Sequence, residues 1–127
     1  MPVKSSTSRV LKWPGRAAVD AAVRALAQRL AAANPHLVRF GYFGSYARGD
    51  WGVGSDVDLV AVVDRASRPF AERALEFDLS GLPVPADLIV YTADEWARLL
   101  SEPRGFVRDI EDQSVWVFER SSSPQTG

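Results

Sequence analysis

The apolar positions near the start of the chain fall on one helical face. Val19, Val23, Leu26 and Leu30 recur at three- and four-residue steps and predict a helix from about Arg16 to Ala33. Pro14-Gly15 introduces it and Asn34-Pro35 ends it. Arg16, Asp20, Arg24 and Gln28 fall on the opposite side, with Asp20 one turn ahead of Arg24 and placed to pair with it. The pattern then changes to short apolar runs. Leu37 to Phe43 predicts a first strand, and the valine-rich run Asp56 to Val63 a second, buried one. Ser67-Arg68-Pro69 marks a turn into a helix from about Phe70 to Leu79, closed by Ser80-Gly81. Pro83 and Pro85 bracket the entry to a third strand, Ala86 to Tyr91. Thr92 and Glu95 form a capping-box pattern at the start of a helix that runs to about Leu100. A shorter helix, about Pro103 to Asp112, leads to a last extended piece, Val115 to Glu119. Helices interleaved with a few strands predict an α/β fold, one small mixed sheet with helices packed against it. Residues 1–127 are expected to form a single domain, with flexible ends at 1–8 and 121–127.

Composition narrows the function classes. The formal net charge is -1, so no bulk basic footprint argues for long nucleic acid. The chain has no cysteine, which excludes disulfides and thiolate metal sites. No apolar run approaches a membrane span and no signal peptide is visible, so a cytoplasmic protein is expected. The single histidine, His36, sits beside Pro35 in a turn and reads as a surface residue. No Ser–His or Cys–His hydrolase arrangement can be built, and no Gly-Lys-Ser/Thr P-loop occurs.

The stretch Gly44 to Asp64, GSYARGDWGVGSDVDLVAVVD, carries the candidate chemistry. In a strand, side chains two residues apart point the same way, so Asp56 and Asp58 share a face while Val57 and Leu59 take the other. Two carboxylates side by side repel unless a cation lies between them, and Mg2+ is the expected occupant. Gly44-Ser45 follows the first strand. A serine opening a short helix, with a glycine before it, offers backbone N–H groups to a phosphate. Ser45 is also a natural N-cap. Arg48, one turn on, is within reach of a phosphate or else a solvated surface arginine. Tyr46 and Trp51 flank the site, as base-stacking rings or as packing.

This stretch resembles the minimal nucleotidyltransferases of the polymerase-beta-type superfamily. Their pattern is Gly-Ser, about ten residues, Asp-x-Asp, and a third carboxylate on a later strand. Gly44-Ser45, Asp56 and Asp58 match it, with ten residues, Tyr46 to Ser55, between Ser45 and Asp56. The resemblance makes Asp87, in PADLIVY, the third carboxylate; Asp64 and Asp78 are its rivals. It implies a palm-like nucleotidyltransferase fold. It implies that Asp56, Asp58 and Asp87 hold two Mg2+ ions and carry catalysis, and that Gly44, Ser45 and Arg48 bind the phosphates of ATP or another nucleoside triphosphate. Asp87 would act on the acceptor side and help take the acceptor proton.

The same resemblance implies a biological setting. Small members of the family serve as antitoxins beside HEPN-type ribonuclease toxins. The expected activity is transfer of AMP from ATP to an acceptor hydroxyl, one presented by a partner protein such as the toxin. Only about thirty residues follow the third strand, which is little from which to build an acceptor-binding domain. Two alternatives stand beside this reading: an antitoxin that acts by contact alone, and a small-molecule enzyme of the aminoglycoside-transferase type. Homo-oligomerisation is compatible with any of them.

Overall fold

The computed structural model describes residues 13–120. The flexible ends expected at 1–8 and 121–127 lie outside the described residues. Helix α1 (Arg16–Ala33) buries Val19, Val23, Leu26, Ala27 and Leu30, the stripe expected from spacing with Ala27 added. It stops where Asn34 turns extended. The Asn34 backbone N–H and side-chain amide both donate to the Leu30 carbonyl, at 2.8 and 2.9 Å. The polar side of α1 is less idle than its spacing implied. Asp20 accepts from both Arg24 and the buried Tyr42 hydroxyl, each at 2.7 Å.

Strand β1 (Leu37–Phe43) runs antiparallel to β2 (Val57–Val63), and β2 runs parallel to β3 (Ala86–Thr92). The edge strand β4 (Val115–Glu119) pairs antiparallel with β1, giving a mixed sheet of order β3-β2-β1-β4. Alternation divides the side chains of β2 between two cores. Val57, Leu59, Ala61 and Val63 pack on the α1 side. Val60 and Val62 pack on the other face, against Trp96, Val107 and Ile110. Each such fully buried valine or leucine contributes on the order of 1.5–3 kcal/mol through lost apolar surface. β2 is therefore the central, doubly covered strand, and Asp58 is the one residue in it that is not buried.

The opposite face is covered by α3 (Ala93–Leu100) and α4 (Phe106–Gln113), with α2 being the single turn Ser45–Arg48. The capping box at α3 forms as expected: Glu95 N–H donates to Thr92 Oγ1, and Thr92 N–H donates to Glu95 Oε1. α4 is docked by Val107 and Ile110 and by a polar clamp. Glu111 accepts two bonds from Arg39, at 2.8 and 3.2 Å, and one from the Trp96 indole at 3.0 Å. Arg39 lies 3.7 Å from the Trp116 ring centroid.

Several boundaries differ from expectation, the least of them the end of β3 at Thr92 instead of Tyr91. The helix expected from Phe70 to Leu79 is a 3-10 helix, Phe70–Glu76, that buries no residue. Phe77 turns extended, so that Phe77 and Leu79, two residues apart, both pack on the α1-side core. Asp78 accepts from the Ser80 N–H at 3.0 Å, a local turn that competes with helix. The helix expected from Pro103 starts at Phe106, because Gly105 at φ 149° breaks the chain direction first, and it runs to Gln113. The second strand begins at Val57, so Asp56 precedes it. Among the described residues, no helix is long and apolar enough to cross a membrane.

Candidate active site

The site forms where β1 and β2 meet in antiparallel register and β3 joins in parallel. β1 ends at Phe43, opposite Asp58, and the chain turns sharply at Gly44 (φ 76°). A β-carbon at Gly44 would run into the Asp58 carboxylate, coming within 3.2 Å of its Cγ and closer still to Oδ2. This turn therefore needs glycine for two reasons, its backbone angle and the carboxylate packed on it.

Gly44, and not Ser45, is the N-cap of α2. Ser45 is the first helical residue, and no side chain caps the turn. The N-cap lies one residue earlier than expected because β1 hands over directly to the turn. The first N–H groups of a helix have no intrahelical acceptor, so those of Ser45 and Tyr46 are directed out of the turn. The Ala47 N–H folds back to the Gly44 carbonyl at 3.0 Å.

The rest of α2 is pinned in place. Tyr46 is fully buried, donates its hydroxyl to the Pro14 carbonyl at 2.7 Å and stacks on Trp51 at 5.3 Å. Tyr46 is therefore packing, whereas Trp51, stacked on it, stays partly exposed. Arg16 reaches across from α1 to the carbonyls of Tyr46 (2.9 Å) and Ala47. A cation at those last carbonyls complements the C-terminal end of the turn. The sequence pattern had assigned Arg16 only to a solvent side. Arg48 is half-exposed and pairs with Asp50 at 3.1 Å.

The strand register places Asp58 directly opposite Asp87. Opposed residues in a parallel pair point to the same face, so the two carboxylates are neighbours. Asp58 is half-buried, whereas Asp56 and Asp87 are exposed. Burial pushes the Asp58 carboxyl above its ordinary value, the charges of Asp87 and then Asp56 push it further, and Arg48 opposes them. The rival carboxylates are elsewhere. Asp64 lies past the other end of β2, 2.8 Å from the half-exposed His36, and Asp78 closes its own turn.

These donors suit a hard divalent cation. They are oxygen anions; burial first, and then repulsion from Asp87 and Asp56, raises the Asp58 proton affinity, and a bound cation would offset the repulsion. Among the described residues, no group of three or more histidine, cysteine, aspartate or glutamate side chains is arranged so that it could hold a metal ion, so Asp56, Asp58 and Asp87 do not form such a group as they stand.

One residue at the site carries no local sequence signal. Gln113, the last residue of α4, accepts a hydrogen bond from the Gly44 N–H at 3.0 Å through its side-chain oxygen. The same oxygen lies 3.5 Å from Arg48 Nη1.

Comparison with known proteins bears on the family and the fold. The sequence profile of the nucleotidyltransferase domain family matches residues 23–117. A crystal structure of a provisionally assigned nucleotidyltransferase from Sulfolobus solfataricus shares the fold, with a TM-score of 0.61 and 20% identity over 83% of this chain and 84% of that one. A toxin–antitoxin structure with AMP-PNP aligns more loosely, with a TM-score of 0.47 and 17% identity over 76% of this chain and 73% of that one. No curated protein sequence matches. With the profile spanning most of the chain, from the middle of α1 into β4, the protein belongs to the nucleotidyltransferase domain family.

Proposed function

We propose that this domain transfers AMP from ATP to a hydroxyl group of a partner protein, in a reaction that depends on Mg2+. The observation that carries the reading is the register of Asp58 against Asp87, with the Gly44 turn packed on the Asp58 carboxylate. It puts two carboxylates beside the first turn of α2, which supports a reading in which they are ligands and the turn binds phosphate. In this reading Asp56, Asp58 and Asp87 hold the cation, which supplies charge neutralisation and Lewis acidity toward the triphosphate. The Ser45 and Tyr46 N–H groups and Arg48 bind phosphate oxygens. The acceptor oxygen attacks the α-phosphorus, the bond to pyrophosphate breaks, and Asp87 takes the acceptor proton.

The exposure of Asp56 and Asp87 supports a large acceptor. The carboxylates stand at open strand ends. A concavity lined by His36, Val63, Arg65 and Phe77 lies at the other end of β2. An acceptor hydroxyl on another macromolecule can reach such a site without entering a pocket. The resemblance to minimal nucleotidyltransferases points to a HEPN-type toxin as that partner, with this chain as its antitoxin.

The test is co-expression with the product of the adjacent gene, followed by intact-mass spectrometry of that product. One or more added AMP units are expected with the wild-type chain. None is expected with Asp87→Ala or with Asp56→Asn combined with Asp58→Asn. An unmodified partner whose toxicity is still neutralised by all three chains would identify an antitoxin acting by contact alone.

A further inference from the structure

We propose that Gln113 is a place-holder in the phosphate cradle, and that a nucleoside triphosphate must displace its side-chain oxygen in order to bind. The inference rests on the nucleotide reading above and concerns how that site is controlled.

Two donors from the two ends of the α2 turn, its N-cap and its last residue, converge on Gln113 Oε1. The Gly44 N–H donates to it at 3.0 Å, and Arg48 Nη1 lies at 3.5 Å. A backbone amide and a guanidinium converging on one oxygen are the donor set that a phosphate oxygen takes. The oxygen is delivered from far along the chain, by the last residue of α4. That helix is held firmly. Val107 and Ile110 are buried, and Glu111 is clamped by Arg39 and Trp96 only two residues before Gln113. The amide is therefore presented by a rigid support, while its own side chain retains rotamers that swing the oxygen away. Gly44 itself is buried, so its N–H needs an acceptor at all times. Gln113 supplies one when no nucleotide is present, and a phosphate oxygen replaces it when nucleotide binds. The neutral amide suits this exchange. A carboxylate at the same place would hold Arg48 more tightly and repel the entering phosphates.

The test titrates Mg2+ and ATP into wild type, Gln113→Ala and Gln113→Glu by calorimetry, with the melting temperature of each chain measured with and without nucleotide. Losing the competing bond should tighten ATP binding by Gln113→Ala by about two- to tenfold. Gln113→Glu should weaken it. Without nucleotide, Gln113→Ala should melt lower than wild type, and saturating ATP should close the gap. Alanine is a strong helix former, so the end of α4 should tolerate the change. Equal or weaker ATP binding by Gln113→Ala overturns the proposal, because it makes Gln113 either a purely structural residue or a direct nucleotide ligand. If wild type itself binds no ATP, the nucleotide reading has failed; if wild type binds and the variants do not diverge, only the place-holder role has.

Discussion

The Asp58 carboxylate occupies the space where a side chain at Gly44 would begin. A β-carbon there would approach the Asp58 Cγ to 3.2 Å and Oδ2 more closely. The Gly44 turn and the acid at the strand end are thus fitted to each other. No side chain can be added at Gly44 without moving Asp58.

Gly44→Ala tests this fit. The substitution forces an L-residue to φ 76° and pushes the Asp58 carboxylate aside. The combined strain should cost about 1–3 kcal/mol of stability. At temperatures where the variant is still folded, nucleotidyl transfer should fall much further than the folded fraction does. Denaturant unfolding and an activity assay at the same temperature separate the two effects. An active, equally stable Gly44→Ala protein would mean that Asp58 has room to move without consequence.

What the sequence reveals here depends on how far apart the interacting residues are. The α1 stripe, the valine-rich β2 and the Thr92–Glu95 box are written within a few residues of each other, and they appear where the pattern puts them. The pairing of Asp58 with Asp87 requires the parallel order of β2 and β3, which no local pattern specifies. The family resemblance favours Asp87, over Asp78 on the predicted helix and Asp64 past the far end of the second strand. Gln113 stands 69 residues from Gly44, and nothing in its own neighbourhood marks it. Arg16 looked like one more solvent-facing charge until α2 folded against it. The 3-10 segment failed for a different reason. The core's demand for Phe77 and Leu79 on one side overrode a helical pattern.

Glu95 offers a test of the frame that holds β3. It accepts two bonds from Arg73, at 2.7 and 3.1 Å, and one from the Thr92 N–H at 2.9 Å. The Arg73 hydrogen bonds, mainly, lower its pKa from 4.5 to about 2. A carboxylate with a depressed folded value stabilises the protein above its unfolded pKa and loses that contribution as pH falls through the folded one. Glu95→Gln should therefore destabilise by about 1–2 kcal/mol at pH 7, allowing for partial solvent screening. The difference between the two proteins should shrink as pH drops from 4.5 toward 2. Urea unfolding across that range reads it directly. A gap independent of pH would assign the loss to helix capping alone.

Asp58 has the opposite sign. Burial first, then Asp87, then Asp56 raise its folded pKa above the ordinary 3.8. Between the unfolded and folded values the native state binds more protons than the unfolded chain, so stability falls as pH rises. Its contribution is fully present below 3.8 and is lost as pH climbs through the raised folded value. Asp58→Asn carries no charge to lose. With chelator present, the variant should melt higher than wild type at neutral pH, and the two should converge in acid. Adding Mg2+ and ATP should reverse the order, because wild type gains stability by linkage to bound ligand and the variant gains far less. Melting curves at neutral and acid pH, with chelator and with Mg2+ and ATP, give every comparison needed. A lower melting temperature for Asp58→Asn at neutral pH in chelator would show that the carboxylate is held by a favourable partner and not repelled by its neighbours. Equal stabilisation of both proteins by Mg2+ and ATP would remove Asp58 from the ligand site.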